Sequence, residues 1–135
     1  MNKPGRLRAT LLAHHPDLAS DPQKLAIFVS RGNLVATGEP GGGWEYGYTL
    51  TMIVQDFAGD MDALSATVLD WLAVEQPDLL KSPDARARSV RFEAELLSNE
   101  LADVQIELDL QEAVQRRDGQ FIHPPAPPAD PSALW

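Results

Sequence analysis

Val90-Arg91-Phe92-Glu93-Ala94-Glu95-Leu96 and, a short turn later, Val104-Gln105-Ile106-Glu107-Leu108-Asp109-Leu110-Gln111 alternate apolar and polar residues along their whole length. A period of two puts alternate side chains on opposite faces of an extended chain, so both stretches are predicted as half-buried strands joined by a turn near Ser98-Asn99-Glu100. Val90, Phe92, Ala94 and Leu96 then share a face, as do Val104, Ile106, Leu108 and Leu110. Phe92, Ile106 and Leu108 are assigned to the core.

Working upstream, Trp44 to Phe57 is rich in aromatic and β-branched residues and free of proline, which predicts one long strand. Tyr46, Tyr48, Leu50, Met52 and Val54 fall on one face, and Leu50, Met52 and Val54 are placed in the core. Ile53 and Phe57 interrupt the polar face, so both sides of this strand are expected to be covered over its second half, as in a central strand. Gly59 breaks the strand, and Asp60 caps a helix with an apolar stripe of Leu64, Val68, Leu69, Trp71 and Leu72. Asp56, Phe57, Gly59 and Asp60 thus form a structural turn, with the glycine expected to supply backbone dihedrals that other residues avoid. Pro77 ends the helix.

Further upstream, Leu7, Leu11 and Leu12 after Pro4 predict a short helix that Pro16 stops. Leu25 to Ser30, including the core candidate Phe28, reads as a strand that Arg31-Gly32-Asn33 turns directly into a second one, Leu34 to Thr37. Gly38, Pro40 and Gly41-Gly42-Gly43 make the next connection. Downstream, Gln120 to His123 suits a short strand after Asp118-Gly119. Five prolines then crowd the stretch from Pro124 to Pro131. The organisation is a single domain, residues 1–123, with a proline-rich tail, residues 124–135. Helix, three strands, helix and two or three further strands define an α+β fold, a mainly antiparallel mixed sheet with two helices packed on one face.

Composition narrows function by exclusion. The chain has 135 residues, 44% of them hydrophobic and 23% charged, which suits one folded domain and argues against a two-domain enzyme. Eleven Lys and Arg against twenty Asp and Glu give a formal charge of −9, which repels phosphate and argues against an autonomous nucleic-acid binder. No cysteine is present, so disulfides, thiolate metal sites and a cysteine nucleophile are excluded. No segment approaches the roughly 18 apolar residues of a membrane span, and the N-terminus lacks a signal-peptide core, so the chain reads as soluble and cytosolic when made.

Candidate chemistry is thin. The loop Gly38-Glu39-Pro40-Gly41-Gly42-Gly43 lacks the terminal Lys and Ser or Thr of a phosphate cradle and runs into a strand. His14 and His15 point in directions about 100° apart with no third ligand nearby, so they read as solvent-facing residues at a helix end. Asp56, Asp60 and Asp62 cluster at a strand-to-helix turn, where capping accounts for the last two. Ser30 and Ser65 have no G-x-S-x-G setting. No catalytic residue, cofactor or metal ligand is assigned.

The charge pattern says more. From Phe92 to Gln115 there are seven acids, Glu93, Glu95, Glu100, Asp103, Glu107, Asp109 and Glu112, and no Lys or Arg, while Arg86, Arg88 and Arg91 precede them and Arg116 and Arg117 follow. One reading is a solvated strand face. The other is a self-complementary assembly interface in which one subunit's arginines meet the next subunit's acids, Glu107 and Asp109 among them. The tail ends in Leu134-Trp135, which reads either as a chance apolar end or as an anchor on a neighbouring subunit.

Leu25-Ala26-Ile27-Phe28-Val29, Tyr48 to Asp62 with its Asp-Phe-x-Gly-Asp turn, Val68-Leu69-Asp70-Trp71-Leu72 and Gln76-Pro77-Asp78 together resemble the tail completion protein R family of contractile-tailed bacteriophages and prophages. The resemblance covers about residues 20 to 80. It implies a structural virion protein similar to tail terminators: a ring, usually of six, at the head-proximal end of the tail. Such a ring caps the tube, stops polymerisation, engages the last sheath ring and offers a surface to the neck or connector. The implied partners are further copies of the chain, as a homohexamer, together with tail tube, tail sheath and neck or connector proteins. Genomic DNA would pass through the lumen without specific binding, and no membrane, cofactor or chemistry is implied. The place of action is the virion tail, and the host cytoplasm during assembly. A second class of function, a transient adaptor or chaperone-like module for another tail protein, fits the same residues.

Overall fold

The structure is a computed structural model and describes residues 1–124. In chain order the elements are α1 (Lys3–His14), α2 (Pro16–Ser20), β1 (Leu25–Ala36), β2 (Trp44–Phe57), α3 (Met61–Glu75), α4 (Pro83–Arg88), β3 (Val90–Leu96), β4 (Ala102–Arg117) and β5 (Gln120–Ile122), with 3₁₀ turns at Pro22–Lys24 and Pro77–Leu80. The strands form one antiparallel five-stranded sheet, ordered β1-β2-β4-β3, with β5 paired to the far end of β4. The fold is α+β.

Register explains the core. Ile27, Met52, Ile106 and Phe92 lie in one row across the sheet, and Leu25, Val54, Val104 and Ala94 in another. α1 and α3 pack over the middle of these rows with Leu7, Leu11, Leu64, Val68 and Leu72, all essentially inaccessible to solvent, as are Leu50, Met52, Val54 and Leu108. Full burial of each such side chain contributes about 1.5–3 kcal/mol. Ile106 and Trp71 are buried beside them.

Two residues assigned to the core are on the surface. Phe28 is 47% exposed because Ile27 and Val29 take the inner positions of β1, which leaves Phe28 on the outer face opposite Thr51. Phe92 has inward parity, yet it is 65% exposed: the helical layer covers β2 and β4 and gives out before β3.

Local geometry corrects two further expectations and extends a third. Arg31-Gly32-Asn33 does not reverse the chain, since Arg31 takes a left-handed conformation (φ 50°) and makes a bulge between Ser30 and Asn33 inside a single strand. The hairpin turn of β1 and β2 is instead the glycine loop, where Gly38 and Gly41 have positive φ. Pro16 opens α2 at its first turn, as proline's fixed φ permits, besides closing α1. Nor is β2 covered on both sides throughout its second half: on the outer face Thr51 is buried, but Ile53 is only half-buried and Gln55 is exposed. Phe57 reaches the core through a second bulge, with Asp56 at φ 50° and a register shift between Val54 and Phe57.

Candidate assembly surface

The Asp56 to Asp60 turn fixes where the sheet meets the helices. Asp60 accepts a hydrogen bond from the Asp62 backbone N–H at 2.9 Å and caps α3. Asp17 of α2 clamps the same turn: its Oδ2 accepts from the Ala58 N–H at 3.2 Å and its Oδ1 from the Lys24 ammonium at 3.1 Å. From the other side the Asp103 carboxylate accepts from the Asp56 N–H at 2.9 Å. Gly59 does not supply unusual dihedrals; that role falls to Asp56. Glycine is required because a Cβ there would stand 2.6 Å from Cζ of the Phe57 ring. Replacing Asp60 with Ala is expected to cost about 1 kcal/mol in chemical unfolding, the usual effect of losing an N-cap.

His15, expected in solvent, is buried beside this turn. Its ring meets Phe57 edge-on at 6.4 Å between centroids, and Nε2 lies 2.9 Å from the Thr67 hydroxyl. Burial, with neighbouring His14 adding to it, pushes its pKa below the usual histidine value of 6.5. A depressed histidine pKa means that the unfolded chain takes up the proton first, so stability is complete above about pH 6.5 and declines as the pH falls below it. The melting temperature should therefore drop more between pH 7 and pH 5 in the natural protein than in His15→Gln.

The outer face of the sheet carries the ion pairs. Arg91, Glu107, Thr51 and Phe28 form one row across β3, β4, β2 and β1. Arg91 donates to both carboxylate oxygens of Asp109, at 3.0 and 3.1 Å, and to Glu107 at 3.4 Å. The guanidinium holds Asp109 below the usual carboxylate range, against the opposing effect of burial. At this exposure each pair stabilises by about 0–1 kcal/mol. Arg91, Glu107 and Asp109 are thus brought together, but within one chain. Arg86 and Arg88 donate to the nearby carbonyls of Leu80 and Asp84. Arg116 lies at the far end of β4, donating to the Gly42 carbonyl at 2.8 Å and stacking over Trp44 at 5.8 Å from the ring centroid, and Arg117 is exposed beside it. Leu134 and Trp135 lie outside the described residues.

Glu112 is placed differently from the other six acids. It occupies an inward position between Leu110 and Val114 and is buried with Lys3, Tyr48 and Gln76. One carboxylate oxygen accepts from the Asn2 and Lys3 backbone N–H groups at 2.8 and 3.1 Å, and the other from the Tyr48 hydroxyl at 2.7 Å. It therefore caps α1 from β4, since Asn2 makes no side-chain cap of its own. The Lys3 ammonium donates to Gln76 Oε1 at 2.7 Å and to the Gln111 carbonyl at 2.6 Å. Extending the alternation that begins at Val104 reaches Glu112 as an inward position, which is the signal that would have found it.

What the described residues present to solvent is an uncovered strand, two open sheet edges and an ion-paired face, the kind of surface that other polypeptides complement. The family model for P2 phage tail completion protein R (GpR) matches residues 1–127. Tail completion protein R of Escherichia phage P2 is 35% identical over 134 residues, covering 95% of this chain and 86% of that protein. No solved structure matches. The chain belongs to the phage tail completion protein R family.

Proposed function

We propose that this chain is a structural component of a phage or phage-tail-like particle, a ring that caps the head-proximal end of the tail. Family membership along almost the whole chain carries the tail assignment. The ring closes off further addition of tube and sheath subunits and offers the neck or connector its docking surface. Head-to-tail contacts that close on themselves give rings, and six copies of a chain of charge −9 line a lumen that DNA crosses without sticking.

A reconstruction of the tail's head-proximal end tests this directly. The expected result is density for this chain as a closed ring between the last tube and sheath layers and the neck. Single isolated copies, or absence of the chain from finished particles as a transient adaptor requires, would overturn the proposal. Particles assembled without it should have tails that fail to join heads.

A further inference from the structure

Every residue from Arg91 to Leu101 is exposed, so among the described residues β3 is held by β4 alone, with one edge free and neither face covered. Its inward side chains are apolar, with Phe92 65% and Leu96 81% exposed, and Leu97 and Leu101 continue the patch. At the other end of the sheet, among the described residues, β1 also pairs on one side only; the Leu25 carbonyl at its start accepts from Arg8 at 2.9 Å, and Phe28 and Val29 are exposed beyond it. Long open edges of this kind are templates for another strand.

We infer that the free edge of β3 pairs with the free edge of β1 from a second copy of this chain, so that the sheet continues from subunit to subunit. Direction permits it. The order β1-β2-β4-β3 with every neighbour antiparallel makes β3 antiparallel to β1, and a second copy placed beside the first in the same orientation meets it with an antiparallel edge. Charge selects it over the pairing of two β3 edges. The outer face of β3 carries Glu93 and Glu95, and Glu95 already sits opposite Asp103, so pairing two β3 edges would bring more like charges together. The outer residues of β1 before its bulge, Ala26, Phe28 and Ser30, are uncharged, and the next residue is the exposed cation Arg31.

Side-chain parity restricts the register. Leu25, Ile27 and Val29 face inward on β1, as do Phe92, Ala94 and Leu96 on β3, so matched faces allow only registers two residues apart, and the one that keeps Leu25 to Ser30 wholly opposite β3 sets Val29 beside Phe92, Ile27 beside Ala94 and Leu25 beside Leu96. Ala26 then stands opposite Glu95 on the outer face. The contact is heterologous, so it repeats. Closure of the repeat into a ring rests on the function proposed above, whereas the pairing itself does not.

The absence of native cysteine allows a clean cross-linking test, read on the concentrated purified protein and on assembled tails. Ala26→Cys combined with Glu95→Cys should give a ladder of disulfide-linked oligomers under mild oxidation. Ala26→Cys with Ala94→Cys puts the thiols on opposite faces and should stay at background. Phe92→Lys should reduce the ladder formed by the 26/95 pair at least tenfold while leaving far-ultraviolet circular dichroism and melting temperature unchanged, because Phe92 supports no core of its own subunit. A ladder that stops at one closed size supports both pairing and ring; a ladder without closure supports the pairing and removes the ring. A ring seen in particles whose 26/95 variant links no better than the 26/94 control overturns the pairing and keeps the ring. Faster hydrogen exchange of β3 amides on deleting residues 125–135 would also overturn it, since that segment would then be the occupant of the edge.

Discussion

Phe57→Ala is expected to lower the free energy of unfolding by about 3–5 kcal/mol, several times the effect of Asp60→Ala in the same turn. The ring is only 3% exposed, packs against His15 and stands against Gly59 so closely that a Cβ would collide with it. It is also the reason for the bulge. Asp56 adopts a left-handed backbone, disfavoured for a residue with a Cβ, and that reversal turns Phe57 from the outer face of β2 to the helical side. Removing the ring loses its burial, leaves a void beneath α2 and α3, and leaves the strained residue without its return. Urea titration monitored by circular dichroism measures the loss. A change under 1 kcal/mol would mean that the turn collapses onto the void, and would return the Asp56 to Asp60 segment to consideration as a direct partner-binding loop.

What was legible in the sequence, and what was not, follows from coverage. β4 and the middle of β2, Tyr48 to Met52, show clean alternation because one face of each lies under helices, and Leu50, Met52, Val54, Ile106 and Leu108 are buried as their parity requires. β1 has no such contrast: Leu25 to Val29 is apolar throughout, so nothing local distinguishes Ile27 from Phe28, and the inner face falls to the odd-numbered residues by register with β2. Phe92 exposes a different limit. Its parity is right, but whether a helix reaches over β3 depends on the lengths and packing of α1 and α3, which no pattern within 90–96 encodes. Both bulges rest on non-glycine residues with positive φ, Arg31 and Asp56, which carry no compositional mark. The charged surface was readable as a set of residues, not as pairs. Arg91 meets Glu107 because β3 and β4 form a hairpin of that register, and a contact between chains cannot be separated from one within a chain by charge order alone.

Glu112→Ala should rank with Phe57→Ala, at about 3–5 kcal/mol, although a charge at this point in the sequence looks like one more surface acid. The substitution leaves the Tyr48 hydroxyl and the Asn2 and Lys3 N–H groups without their acceptor and removes the charge that best favours the buried Lys3 ammonium. Burial by itself depresses Lys3, and without Glu112 that effect has less to oppose it. For Glu112 burial acts in the opposite sense, raising the pKa, yet the Tyr48 hydroxyl and the two backbone donors outweigh it and hold the group below its ordinary value of 4.5. A depressed carboxylate stabilises the fold above its unfolded pKa and loses that contribution as the pH falls through the lower folded value, so this share of acid sensitivity lies below about pH 4.5. Glu112→Gln keeps one acceptor oxygen and should fall between the natural protein and Glu112→Ala, with a flatter stability profile in that acid range. The decisive comparison is Lys3→Met combined with Glu112→Leu. If the cost of Glu112→Ala comes mainly from an uncompensated ammonium, replacing both charges by apolar groups recovers part of it. A double variant no more stable than Glu112→Ala would instead assign the effect to the cap on α1, which only an acceptor at position 112 can restore.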